Sequence, residues 1–349
     1  MSVIGNAQIV RKYSNEFLNI GAGARGLAMG GAVISNQNDV YAPMWNPAGL
    51  TEVESDWQGA AMHAEYFESI AKYDYISFAK ALDSKDGVLG ISIVRLGVDN
   101  ILNTTQMIDS EGNIDYDKIS KFSTSDYAGI ISYAFRPGGN QKLSVGINAK
   151  IVYRNIGKFA NGFGFGFDAG AIYRADSGYQ FGAMLRDATT TVNFWSINQK
   201  ELSAVVNGEE FNPAPIDKME ITMPKLNLGV SKNFEINRDL ELLPEAGLNV
   251  DFAKTAAVIS TDFASISPYL GAELSFQKMI FVRAGLNRFQ TVTDIEDKKK
   301  KDNMQPSAGI GIKYKGLTLD YAITNTGIGG SNYFSNFFSL KLDMRDFRY

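Results

Sequence analysis

Apolar and polar positions alternate along most of the chain. From Leu143 to Tyr153 the apolar residues are Leu143, Val145, Ile147, Ala149, Ile151 and Tyr153, with Ser144, Gly146, Asn148 and Lys150 between them. Further on the separation is sharper. Phe163, Phe165, Phe167, Ala169, Ala171 and Tyr173 share one parity, and Gly162, Gly164, Gly166, Asp168 and Gly170 the other. The same period returns at 308–314, 317–323 and 338–344. A period of two puts alternate side chains on opposite faces of a strand. Fourteen such strands are predicted, near 56–66, 71–82, 87–98, 125–136, 141–155, 161–175, 178–188, 221–234, 240–254, 266–276, 279–290, 304–315, 316–326 and 333–346. Many exceed ten residues, against about five or six in soluble proteins.

The connections between these strands differ in length. Asp83–Asp86, Pro137–Asn140, Asp176–Ser177, Glu235–Asp239, Gln277–Lys278 and Lys315–Gly316 are short turns. The pieces 99–124, 189–220, 255–265 and 291–303 are longer. Outer-membrane barrels show this asymmetry, with short periplasmic turns and longer outside loops. An even strand count then leaves both termini in the periplasm. The chain also finishes on a strand and an aromatic residue, Tyr349, as barrel proteins often do.

Composition narrows the choice. Gly is abundant at 34 residues, Phe and Tyr reach 22 and 16, and the net charge is −4. No basic surface points to nucleic acid. Cys is absent, which removes disulfides and thiolate metal sites, and the one His, His63, cannot build a multi-histidine site. No apolar run approaches the roughly 18 residues of a membrane helix, but a transmembrane strand needs only about 9–11, and half of them face lipid. The face opposite the apolar one carries both signs of charge: Lys150, Arg154, Asp168, Arg186, Glu245, Asp251, Glu273, Arg283, Lys313, Asp320 and Lys341. Such charges are costly in a dry sandwich core but can pair and hydrate inside a lumen. Backbone groups in lipid must all be paired, so the sheet has to close. The expected fold is all-β and transmembrane, a closed antiparallel 14-stranded outer-membrane β-barrel. A soluble β-rich binding protein is the competing reading.

The first eight residues, MSVIGNAQ, end in a small-residue stretch like the tail of a cleavage site and read as a signal-peptide remnant, 1–8. Gly21-x-Gly23-x-x-Gly26 formally matches a dinucleotide fingerprint but lacks the strand–turn–helix context. No catalytic constellation is present, and no enzyme activity, metal or cofactor is expected. The charged run 294–302 reads as a solvated loop tip, with lipopolysaccharide contact as the other option.

Two segments near the N-terminus are more specific. One is Phe17-Leu18-Asn19-Ile20-Gly21-Ala22-Gly23-Ala24-Arg25-Gly26-Leu27-Ala28-Met29-Gly30-Gly31-Ala32. The other is Asn38-Asp39-Val40-Tyr41 followed by Trp45-Asn46-Pro47-Ala48-Gly49-Leu50. Together they resemble the PorV/PorQ family, a branch of the FadL-like outer-membrane barrels. Met223-Pro224 and Leu319-Asp320-Tyr321-Ala322 extend the resemblance.

The resemblance implies that residues 9–55 fold into the lumen as a plug and that 56–349 form the barrel. Arg25 is then available to lumen carboxylates, and Asp168, Glu273, Arg283 and Asp320 are the lumen candidates on the wall, with the pairs among them left open. Asn46-Pro47 would form the fixed turn into the wall. The resemblance also implies a non-enzymatic surface role in type IX secretion. The partners would be translocon or attachment-complex proteins and cargo carrying a C-terminal signal, with outer-membrane lipid and lipopolysaccharide around the wall. Phe194, Trp195, Ile197 and Phe211 in the piece 189–220 are the partner-binding candidates, since exposed apolar patches often mark contacts. The alternative, from the transport members of the FadL-like group, is a channel for hydrophobic small molecules with a lateral opening.

Overall fold

The computed structural model describes residues 15–66, 69–82, 87–108, 111–202, 204–206, 209–211, 219–293, 300–326 and 333–344. For 204–206, 209–211, 291–293 and 300–302 it describes the backbone alone. The wall consists of fourteen antiparallel strands. In chain order, β1–β6 are Trp57–Tyr66, Ala71–Ala81, Gly87–Asn103, Ser120–Phe135, Leu143–Ile156 and Ala160–Arg174. Next, β7 comes in two pieces, Tyr179–Arg186 and Thr191–Ile197, and β8 in two, Met219–Thr222 and Lys225–Lys232. The remaining strands, β9–β14, are Leu240–Asp251, Ser265–Phe276, Ile280–Thr293, Lys300–Tyr314, Leu317–Asn325 and Phe334–Asp343. Closure is made by β1 against β14, from Gln58↔Asp343 to Glu65↔Asn336. Among the described residues no helix is long and apolar enough to cross a membrane.

The alternation read from the sequence sets the two faces of this wall. Ile151, Phe163 and Phe165 are 53%, 52% and 49% exposed, whereas Lys150 on the opposite face is 5% exposed. Most large aliphatic and aromatic side chains of the wall point outward, and charges such as Lys150, Glu245 and Arg283 point in. That is the arrangement of a barrel whose solvent is hydrocarbon.

Strand lengths follow the expectation with three differences. Both β3 and β4 run to Asn103 and from Ser120, so the connection 99–124 is shorter than the pattern suggested. Likewise β11 and β12 extend into 291–303. The third difference matters most. The strand expected at 178–188 breaks after Arg186 and resumes at Thr191. Leu185 pairs with Ala169 and Val192 with Phe165, so β7 has more residues than β6 across this interval. The excess forms a bulge at 187–190, with positive φ at Asp187 and Thr190.

Residues 15–55 lie against the inner face of the wall. They form short turns and helices, including α1 (Ala24–Ala28) and α2 (Ala42–Trp45), and nearly all are buried. Polar contacts run from this segment to strands all around the circumference: Asn46 to the Ala171 carbonyl, Ile34 and Ser35 to Glu245, Ala28 to Ser307, Ala24 to Ser339. The hydroxyl of Tyr41 lies 3.0 Å from the Ala61 carbonyl of β1 and 3.1 Å from the Leu340 carbonyl of β14. Inward glycines of the wall provide the room. A Cβ on Gly146 would lie 2.4 Å from the Ala48 nitrogen, on Gly182 2.3 Å from the Ile34 oxygen, and on Gly285 2.1 Å from the Met29 carbonyl carbon. Much of the Gly excess in the composition is therefore backbone meeting backbone across the lumen face.

Candidate functional site

Among the described residues the sequence candidates converge in the lumen, so the site is built from the N-terminal segment and the strands that face it. Gly21 and Gly23 turn the chain with φ of 86° and 84°, a region open to Gly at little cost. The Trp45 ring then lies over Gly21 and Gly26, where a Cβ would come within 2.4 and 2.7 Å of it. Its indole N–H donates to the Ala22 carbonyl at 2.6 Å. The glycine spacing that mimics a dinucleotide fingerprint is thus a seat for an indole.

This turn aims Arg25 across the lumen. Its Nε lies 2.9 Å from Glu273, and Nη2 donates to Asn36 at 2.9 Å. Glu273 also takes Arg283 at 2.5 Å, and Arg283 reaches Asp320 at 2.6 Å. Arg25, Glu273, Arg283 and Asp320 therefore form one chain of alternating charge, from the N-terminal segment through β10 and β11 to β13. All four were candidates from the sequence; their pairing was not readable there, because it depends on which strands stand side by side.

Asn46 and Pro47 lie deeper. The Asn46 amide donates to the carbonyls of Ile34 at 2.8 Å and Ala171 at 3.1 Å, while its oxygen caps the following turn by accepting from the Ala48 N–H. Pro47 starts that turn, at the position where a missing N–H costs nothing. The residues tie the segment to β6 and do not lead directly into β1, which begins ten residues after Pro47.

Asp168 belongs to a separate cluster. Lys150 lies 2.6 Å from both Asp168 and Asp187, and the Asp187 N–H donates to Asp168 at 2.8 Å. Thr191 adds its hydroxyl to Asp187. This fixes the β7 bulge to β5 and β6. The pattern missed Asp187, which fell at the edge of a predicted strand. Glu245 was visible as an inward charge, but not as an anchor. Its carboxylate accepts the N–H groups of Ile34 and Ser35, the Ser35 hydroxyl and the Asn36 amide. On the segment itself, Asp39 pairs with Lys341 at 3.1 Å. Burial works against its charge, but Lys341 and Arg25 outweigh it and hold the carboxyl below its usual range.

The lumen differs at its two ends. Toward the short turns lies a cavity of about 760 Å³ lined by Arg25, Glu52, Arg174, Glu241, Lys341 and Asp343 among others. Toward the longer connections, β1–β3 and β14 contribute Met62, Tyr66, Tyr73, Leu96, Val98 and Phe337 to an apolar cluster. Tyr66 meets Phe337 edge-on at 5.2 Å and Tyr73 at 6.3 Å.

The partner-binding candidates are placed differently from the expectation. Phe194, Trp195 and Ile197 are on the second piece of β7, paired with β6, rather than on a protruding loop. Phe194 faces outward at 50% exposure, while Trp195 turns inward over Gly162 with Arg154 against its ring. The pattern ended the strand at 188 because it could not count the bulge. Phe211 is on the short strand Glu209–Phe211, and its side chain lies outside the described residues. Residues 294–299 and 1–14 also lie outside them. His63 sits on the outer face beside Asp74 at 2.7 Å.

A closed fourteen-stranded barrel with inward charges and an outward apolar face belongs to the class of outer-membrane β-barrels. Solved structures of similar fold agree. They include the CymD monoaromatic hydrocarbon channel, at TM-score 0.61 and 12% identity over 93% of this chain and 98% of that one. The Ralstonia pickettii toluene transporter TbuX matches at TM-score 0.56 and 13% identity over 93% and 98%. A Pseudomonas aeruginosa FadL homologue matches at TM-score 0.55 and 11% identity over 92% and 98%. No family model and no curated sequence matches the chain. The barrel is thus FadL-like in fold. The narrower likeness to PorV/PorQ, and the type IX partners it implied, find no support in these matches.

Proposed function

We propose that this chain is an outer-membrane channel for hydrophobic small molecules, with its short turns and both ends of its wall in the periplasm. The observation that carries this reading is the division of the lumen. Toward the long connections Met62, Tyr66, Tyr73 and Phe337 continue the apolar core of residues 15–55, while the charged cavity toward the short turns is lined by that segment and the wall together. Apolar ligands favour sites lined by hydrophobic and aromatic side chains with few polar groups. A charged, wet chamber beyond such a site favours release. The solved barrels of similar fold include channels whose titles name monoaromatic hydrocarbons and toluene, which supports the same ligand class. In this reading the ligand passes only when the segment moves.

The chain has no Cys, so an engineered pair is unique. A Cβ on Gly309 would lie 2.6 Å from that of Ala28 and 2.5 Å from the Tyr321 carbonyl oxygen, so segment and wall must give before the pair sits at disulfide distance. In a strain lacking the native gene, the wild-type chain restores uptake of radiolabelled toluene or a long-chain fatty acid. The Ala28→Cys, Gly309→Cys pair restores it under reducing conditions and loses it when oxidised. Uptake that is unchanged by deletion, for both solutes, overturns the proposal.

A further inference from the structure

The outer face of the wall is indented where β6, β7, β8 and β9 run side by side. The cavity there is about 540 Å³ and apolar, with Tyr173, Phe181, Val230 and Leu248 around Ala171 and Ala183. The register accounts for its shape. Tyr173, Phe181, Val230 and Ala246 form one row across the four strands, and Ala171, Ala183, Leu228 and Leu248 form the next. Alanines within these rows leave depth between larger neighbours.

The groove has a polar end. One row nearer the short turns, Tyr179 faces Lys232. The Lys232 Nζ stands 4.6 Å from the centre of the Tyr179 ring and 5.7 Å from that of Phe234. Among the described residues its neighbours there are rings rather than carboxylates. A cation among aromatic rings at the edge of an apolar band marks the level of lipid headgroups. Two residues along a strand separate this level from the next row, about 7 Å.

We infer that this groove is a glycerophospholipid site, one acyl chain lying over Ala171 and Ala183 and the phosphate resting on Lys232. The charge of the ammonium matches a phosphate, and the depth matches a chain that interior-like packing would draw in. The inference rests on the wall standing in a bilayer with its short turns toward a phospholipid leaflet. It does not depend on what crosses the lumen, so the uptake experiment and the one below fail separately.

Native mass spectrometry of the delipidated barrel in detergent tests it, with phosphatidylglycerol and a diacylglycerol of the same chains as probes. The expected result is one phosphatidylglycerol retained per barrel, and diacylglycerol retained about ten-fold less, the worth of one charge-assisted contact. Lys232→Gln brings phosphatidylglycerol down to the diacylglycerol level. Ala183→Phe fills the groove and removes both. Lys80→Gln changes nothing, since Lys80 sits over the Trp57 ring at 4.4 Å elsewhere on the rim. Heat-shifted gel mobility reports that each variant is folded. Equal retention of the two probes, retention unaffected by Ala183→Phe, or preference for lipid A over phosphatidylglycerol overturns the site. So does a barrel dimer that Ala183→Phe splits, since the groove would then seat a second copy.

Discussion

At the scale of single residues, the interior is held by charges that have one another as solvent. Glu273 lies between Arg25 and Arg283, so its removal takes away the carboxylate that Arg25 pairs with and leaves Arg283 with Asp320 alone. Glu273→Gln is expected to destabilise the barrel by about 3–5 kcal/mol, the usual cost of breaking a buried pair. The unfolding midpoint in detergent measures this. Asp39 gives a pH dependence of known sign. Its carboxyl is held below the ordinary range, so the unfolded chain takes up a proton there at higher pH than the folded one. The stabilisation from Asp39 is complete above pH about 4 and fades as acidity carries the pH through the lower folded value. The stability gap between the wild type and Asp39→Asn should therefore be constant near neutrality and shrink in acid. A wall glycine makes a third case. A side chain on Gly285 collides with the backbone at Met29, and Gly285→Val is expected to cost about 1–3 kcal/mol or more by overpacking.

At the scale of elements, the wall was legible in the sequence and its interruptions were not. Alternation in Phe163–Tyr173 or Leu143–Tyr153 reports which parity meets hydrocarbon, and along these two stretches that parity does not change. The bulge at 187–190 breaks the count. Beyond it Trp195 and Ile197 fall on the inner face, and the reading of 189–220 as a loop fails. Lumen charges were legible as a face but not as pairs, since pairing is set by neighbours far away in the chain. Lys150 shows what the break depends on. It holds Asp168 and Asp187 together from β5. Lys150→Met would leave two carboxylates facing each other in a buried place. Hydrogen exchange at Asp187 and Ala188 should then speed up by more than ten-fold, while the pairing of Leu185 with Ala169 stays protected. Unchanged protection at 187–188 would mean that the bulge is held by its backbone alone.

At the scale of the whole molecule, the segment 15–55 and the wall are a single packed object. With the segment seated, the wild-type barrel is expected to pass no steady current of small ions in a planar bilayer. Gly285→Val, which displaces it at Met29, should open measurable conductance. A quiet variant would show that other contacts keep the segment in place. The seam between β1 and β14 joins the two ends of the wall, and no loop connects them. Tyr41, on the segment that precedes both strands in the chain, reaches a carbonyl on each of them. A segment that precedes the wall in the chain thus touches both sides of its closing seam. A slip of either strand along the other would cost one of these contacts, so a seated interior favours the register in which the circle closes.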